Sequence, residues 1–168
     1  MRWAISHRAD PAARAIADRH YNRQKPGTPQ FVPPGRCLVL LADPAVWVTS
    51  WPFAEYVKHE WAGAWVNSAF RNEGAGLSSE LITEAVAATR WHWPDIPHLG
   101  MVTFVDRSKV RPKKDFGYTY LMAGFHVAGE TKGGLLALQL LPDAMPPPEA
   151  PLGSQLVAAA LTPPGDTE

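Results

Sequence analysis

The chain has 168 residues and a mass of 18.4 kDa, enough for one domain with a core of its own. Its 16 Lys and Arg balance 16 Asp and Glu, 19% of residues are charged and 46% are hydrophobic, which excludes a wholly disordered chain and a uniformly basic nucleic-acid coat. A single cysteine, Cys37, excludes an internal disulfide framework and a Cys-rich zinc module, and no apolar run reaches the ~18 residues of a membrane helix. The opening MRWAISHRAD has no secretory hydrophobic core, so a cytoplasmic protein is expected.

The neutral total averages two unlike segments. No Lys or Arg follows Lys132, while Asp143, Glu149, Asp166 and Glu168 do, so residues 1–132 hold 16 basic against 12 acidic side chains, a net of +4. From Pro142 onward there are seven prolines, with Pro146, Pro147 and Pro148 in a row, which favour extended polyproline structure over a packed core. The expected organisation is a folded unit over residues 1–141 and a Pro-rich tail over 142–168 that moves freely or lies along the surface. The apolar stretch from Leu156 to Leu161 is expected to form a docking turn of helix.

In chain order, Asp10-Pro11 reads as an N-cap and first turn, and Pro11 to Arg19 as a helix ending near His20-Tyr21. Residues 22–35 carry Pro26, Gly27, Pro29, Pro33, Pro34 and Gly35, a long loop. Arg36 to Ala42 and Ala45 to Trp51 read as two strands joined by a turn at Asp43-Pro44. Trp61 to Phe70 reads as a third extended segment. A Gly-rich turn then opens a helix in which Leu81, Ile82, Ala85, Val86 and Thr89 fall at helical spacing and which Pro94 stops. Leu99 to Val105 is a buried-type strand, residues 107–114 are a basic loop, Gly117 to Gly124 is a short helix, and Phe125 to Gly129 and Leu135 to Leu141 are the last strands. The fold class that follows is α+β, a central mixed sheet flanked by helices.

The turn Arg71-Asn72-Glu73-Gly74-Ala75-Gly76 has the form R-x-x-G-x-G, follows a strand and opens a helix. Two glycines let the backbone approach a diphosphate closely, and the N–H groups of residues 72 to 78 and the helix dipole favour an anion there. A plain strand-to-helix turn is the alternative reading. The pattern resembles the acyl-CoA pyrophosphate loop, Q/R-x-x-G-x-G/A, of the GNAT superfamily of acyltransferases. About 45 residues on, Tyr120-Leu121-Met122-Ala123-Gly124-Phe125 is similar to the Y-E-x-L-G-F segment that ends the last helix of those enzymes. The resemblance implies a GNAT-like sheet. It also implies acetyl-CoA or a related acyl-CoA held on Arg71, Asn72, Glu73, Gly74, Ala75, Gly76 and Leu77, and Tyr120 as general acid for the leaving thiolate. A phenol of ordinary pKa near 10 suits that task.

Three further elements resemble the Mom-type DNA-modification proteins of bacteriophages, which are GNAT-related and modify adenine in DNA. Arg19-His20-Tyr21-Asn22 ends the first helix where that family has a His-Tyr-Ser element. Phe104-Val105-Asp106 ends the central strand where it has an Asp-containing segment. Gly117 to Phe125 parallels its G-x-x-Y-x-A-x-N-F stretch, with Gly124 in place of Asn. The resemblance covers residues 10–140 in element order and matches only in short motifs. It implies a phage-encoded enzyme in the cytoplasm of a bacterial host, acting on the exocyclic amine of adenine, with His20 and Asp106 as candidates for acid/base or base-orienting work.

Residues 107–114 place five basic side chains in eight. Arg107, Lys109, Arg111, Lys113 and Lys114, with Tyr21 and Tyr118, are the candidate nucleic-acid contacts, DNA being the expected partner; an ordinary solvated loop is the alternative. Trp47 and Trp51 share strand parity, as do Trp61 and Trp65, which makes each pair a core wall or, in the sharper reading, a base-stacking platform. The six histidines show no ligand spacing and no metal is expected; Cys37 reads as a small core residue. The rival functions are an N-acetyltransferase for a small amine or a protein, and an inactive GNAT-like protein that only grips nucleic acid. A homodimer is left open.

Overall fold

The computed structural model describes residues 1–20, 27–28, 31–109 and 116–154. Tyr21, Arg111, Lys113, Lys114 and the stretch 156–161 lie outside them. Seven strands, β1 (Ala4–Ile5), β2 (Arg36–Ala42), β3 (Ala45–Trp51), β4 (Trp65–Asn72), β5 (Met101–Val105), β6 (His126–Glu130) and β7 (Leu136–Leu140), form one sheet in the order β1-β2-β3-β4-β5-β7-β6. Only β4 and β5 run parallel. Among the described residues three α-helices, α1 (Pro11–Ala17), α2 (Ser78–His92) and α3 (Tyr118–Met122), flank it. The class is α+β with a mixed sheet. Among the described residues no helix is long and apolar enough to cross a membrane.

Side-chain alternation sorts the core onto two faces. Leu38, Leu40, Trp47, Trp65, Met101, Leu138 and Leu140 pack with Leu81, Ile82, Ala85 and Val86 of α2. Val39, Val46 and Val48 turn the other way, onto Ala13, Ile16 and Ala17 of α1. Trp47 and Trp65 are fully buried and Trp51 packs edge-on to Trp65 at 5.9 Å, so this aromatic set is a core wall and not a platform. Trp61 does not share their strand. Gly63, at φ +96°, turns residues 61–64 before β4 begins, and Trp61 packs on the opposite face beside His59 and Phe104.

One irregularity shapes the centre of the sheet. Val48 pairs with Ala69 and Thr49 with Asn67, so Ser68 is an extra residue on β4, a β-bulge. It reverses the alternation, and Trp65 and Phe70 both belong to the α2 side although they lie an odd number of positions apart.

The described part of the Pro-rich segment, residues 142–154, packs onto the rest of the chain, and Met145 belongs to the core cluster on the α2 side. Leu152 donates its N–H to Trp3 O and accepts from Ile5, Glu149 N–H reaches Ala87 O at the α2 surface, Arg90 Nη1 donates to Pro146 O at 2.6 Å, and Met145 and Pro151 are buried. The chain's first residues and residues 145–152 therefore hold each other, which local sequence preference does not encode.

α1 is only two turns long and leans on its cap. Asp10 accepts from Ala12 N–H at 2.9 Å and from the Ser6 hydroxyl at 2.6 Å, and Pro11 occupies the first turn. The Ser6 hydroxyl is the chief cause that draws the Asp10 carboxyl below its ordinary value. Asp10→Ala is expected to cost about 1 kcal/mol at neutral pH. Because the folded pKa is depressed, this contribution is present above the unfolded Asp value and is lost as pH falls through the lower folded value. Thermal melts of wild type and variant should differ at pH 7 and converge in acid.

Candidate functional site

β4 and β5 pair over only three residues, Trp65–Asn67 against Met101–Thr103. Beyond Asn67 the two strands part, and Ser68, Ala69 and Phe70 face Thr103, Phe104 and Val105 across a cleft that His20 and Tyr120 complete. The cavity is about 30 Å³, room for about two waters. α1 and α3 lie on opposite faces of the sheet, so His20 reaches the cleft from one side and Tyr120 from the other.

The bulge and the cleft share one side chain. Asn67 is buried; its Nδ2 donates to Val48 O at 3.1 Å and Ala69 O at 2.9 Å, satisfying backbone groups that the bulge withdraws from the ladder. That fixes Oδ1 as the acceptor turned to the cleft, where it receives the Tyr120 hydroxyl at 2.6 Å and the Thr103 hydroxyl at 3.2 Å. Tyr120 is further set by Phe70 and Phe125, both near edge-to-face at 6.3 and 5.3 Å. Asn67 was not singled out in the sequence. The available signal was an amide in the otherwise apolar run Trp65-Val66-Asn67-Ser68-Ala69-Phe70.

The turn from Arg71 to Leu77 lies at the C-terminal end of β4 and feeds α2. Gly74 and Gly76 have φ of +117° and +145°, conformations that L side chains rarely adopt. Asn72 Oδ1 takes the N–H groups of Gly74 and Ala75, its Nδ2 donates to Gly76 O and Ser78 Oγ, and Glu73 N–H goes to Pro44 O. Asn72 and Pro44 thus consume the first half of the expected amide cradle. The N–H groups of Gly76, Leu77 and Ser78 donate to no described residue, and they sit at the N-terminus of a 15-residue helix that lacks a side-chain cap. Arg2 reaches in from the N-terminus: a Cβ on Gly76 would run into its guanidinium. Arg2 is held there by Glu80 and Glu84.

Glu73 does not present a free anion. Arg19 grips it through Nε and Nη2 at 2.7 and 2.6 Å, and Arg71 Nε adds a third contact at 2.7 Å. Arg19 first, then Arg71, hold its carboxyl down at about 2. Arg19 and Arg71 outweigh Glu73 by one charge, and Glu80 and Glu84 outweigh Arg2 by one, so these side chains around the turn balance.

Asp106 is not among the cleft-lining residues. Its Oδ1 accepts from the Ser108 hydroxyl at 2.6 Å and the Ser108 N–H at 3.0 Å, an Asx turn at the end of β5, and the Ser108 hydroxyl is the main cause that lowers its pKa. Lys109 lies 4.0 Å from its other oxygen and Arg107 is paired with Glu130. Tyr118 opens α3 and is partly exposed. Of the expected site residues, the structure therefore brings His20 and Tyr120 to one cleft, sets Arg71 to Leu77 at the end of β4, and leaves Asp106, Arg107 and Lys109 in a turn of their own. Cys37 is half-buried, and Arg8 Nη2 donates to its sulfur at 3.0 Å. Among the described residues no three or more His, Cys, Asp or Glu side chains group so as to hold a metal ion.

No protein-family model, curated protein or solved structure matches this chain.

Proposed function

We propose that the protein is a GNAT-like acyl-CoA-dependent transferase of the Mom type, acting on the exocyclic amine of adenine in DNA. The observation that carries the reading is the parting of β4 and β5 with Tyr120 at its mouth and the glycine turn at the end of β4. An extended pantetheine chain carries amides of its own. Its natural seat is against strand backbone beyond the end of the β4–β5 ladder, as residues 69–72 of β4 are.

The residues fit the group. The amides of Gly76, Leu77 and Ser78, with the Arg2 guanidinium against Gly76, are suited to its diphosphate. Bound acyl-CoA supplies the activated acyl thioester. His20, on the α1 side of the cleft, takes a proton from the attacking amine. The Tyr120 hydroxyl turns from Asn67 Oδ1 to give its proton to the departing sulfur. The Asn67 amide, anchored by two backbone carbonyls, keeps the phenol in place for the next turnover.

The test has two arms. Acetyl-CoA should raise the melting temperature of the wild type and not that of Gly76→Val, whose φ of +145° disfavours a β-branched residue. Nucleosides from cells expressing the wild type should contain an adenine of altered mass that disappears with Tyr120→Phe. Absence of any acetyl-CoA shift sinks the cofactor, and unmodified nucleosides together with acetylated polyamines or protein move the substrate to a small amine or a polypeptide. Salt-sensitive DNA binding with neither chemistry leaves an inactive binding protein.

A further inference from the structure

We propose that Arg36, Phe53 and Tyr56 form a contact for single-stranded nucleic acid, in which Arg36 takes a phosphate and the two exposed rings stack bases. The surface stands at the far end of β3 from the glycine turn. Ala45, the first residue of β3, pairs with Asn72, whereas Trp51, its last, pairs with Arg36 of β2. The length of β3, about 20 Å at ~3.3 Å per residue, separates the two.

Trp51 is the outer end of the aromatic wall and the fixed base of this surface. Its Nε1 donates to Gly63 O at 3.1 Å, and its ring packs on Trp65 at 5.9 Å and on Trp93 at 5.4 Å. The Arg36 guanidinium lies over the Trp51 ring, 4.4 Å from its centroid, and over the Phe53 ring at 5.0 Å. Stacking of this kind engages the flat face of the cation and leaves its N–H edges for a further partner. Arg36 makes no ion pair and no side-chain hydrogen bond with any described residue. The fork is therefore held in place by rings alone, and a phosphate takes two of its N–H groups side by side. Phe53 and Tyr56 are large apolar side chains left 54% and 77% exposed. The turn Ala54–Tyr56 sets their rings edge to face at 6.5 Å, and Tyr56 N–H closes it on Phe53 O.

Exposed rings beside an oriented cation match what an unpaired strand offers, a π-face on every base and a phosphate at every linkage. A duplex keeps those faces inside its own stack. A proline-rich peptide also seeks aromatic rings, but it has no group for the guanidinium fork. Charge nearby is balanced, Arg36 and Lys58 standing against Glu55 and Glu60. Stacking and one fixed phosphate contact, not a broad positive field, then supply the attraction. The proposal shares a nucleic-acid partner with the reading above and none of its chemistry.

An end-labelled oligothymidylate of about 12 nucleotides tests it, because it contains no adenine. Fluorescence anisotropy gives its affinity for the full chain across a range of salt. Tyr56→Ala and Phe53→Ala should each weaken binding by about 5–150-fold and leave the salt slope as it is, since stacking releases no counterions. Arg36→Ala should weaken binding and make the slope of log K against log salt shallower by about 0.7, one phosphate. An abasic strand of the same length should bind the wild type and Tyr56→Ala alike. The melting temperature of Tyr56→Ala should match the wild type, its ring being mostly in solvent. No binding of oligothymidylate by the wild type overturns the proposal. So do ring variants that bind as the wild type does, and an Arg36→Ala protein with an unchanged salt slope. A proline-rich peptide that binds where oligothymidylate does not overturns it in favour of a polypeptide partner. Oligothymidylate held through these residues, with adenine in cellular DNA unmodified, leaves this contact standing and removes the transferase reading.

Discussion

Tyr120→Phe is expected to lower kcat for acyl transfer by about 10²–10⁴-fold, the usual contribution of one positioned proton donor, with acetyl-CoA affinity changed by no more than a few-fold. The substitution removes a single oxygen. The ring keeps its edge-to-face partners Phe70 and Phe125, so the cleft retains its shape. Asn67 Oδ1 loses the phenol at 2.6 Å but keeps the Thr103 hydroxyl, and its Nδ2 keeps both carbonyls, so unfolding should become easier by only about 1 kcal/mol. The measurement is release of free thiol under single-turnover conditions, alongside a binding isotherm for acetyl-CoA. A wild-type rate in the variant would sink the general-acid role. A rate and an affinity that fall together would assign Tyr120 to binding instead. Asn67→Ala separates the two effects from another side: it leaves the hydroxyl present but unaimed, and uncovers the bulge carbonyls of Val48 and Ala69.

Local pattern carried the strands and helices far better than it carried the site. The hairpin of β2 and β3 was legible to the residue, because a run of apolar and β-branched side chains on either side of Asp43-Pro44 states both strand and turn locally. α2 was legible from its apolar spacing and from Pro94 beyond its end. β1 was not, because Ala4 and Ile5 are a strand only through pairing with Leu41 and Leu40, thirty-five residues away and more. The bulge at Ser68 was hidden for the same reason: a register shift is a property of two strands, and one strand's sequence does not contain it. In the candidate site, the glycine turn and Tyr120 were visible as motifs. What organises them was not. Asn67 connects the bulge to Tyr120 across 53 residues, Arg19 reaches Glu73 across 54, and Arg2 reaches Glu80 across 78. Asp106 shows the opposite case. The resemblance implied acid/base or base-orienting work for it, and Ser108 two residues on engages its carboxylate in a turn.

Trp47→Ala is expected to lower the free energy of unfolding by about 3–5 kcal/mol, the range for deleting a buried indole. At roughly 2–4 °C per kcal/mol for a chain of this size, the melting temperature should fall by about 6–20 °C. Trp47 has no exposed surface and stands between the sheet and α2. Its Nε1 donates to Thr49 Oγ1 at 2.7 Å, and Thr49 continues through the Thr89 hydroxyl, 3.3 Å away, to Ala85 O within the helix. Removing the indole therefore opens a cavity and takes a donor from a buried hydroxyl chain, two costs that act together. The effect should extend to the cleft. Trp47 packs on Phe70 at 5.6 Å and Phe70 packs on Tyr120, so the phenol loses the backing of its own support. Transfer activity per folded molecule should fall in Trp47→Ala, and fall less in Trp47→Phe, which keeps a ring against Phe70 and gives up only the N–H and part of the volume. Urea unfolding followed by circular dichroism gives the stability, and thiol release at a temperature where both variants are folded gives the activity. A Trp47→Ala protein less than 1 kcal/mol weaker than wild type would contradict the packing range for a buried indole. Equal activity per folded molecule in both variants would mean that Asn67 and Phe125 hold the phenol without help from this wall.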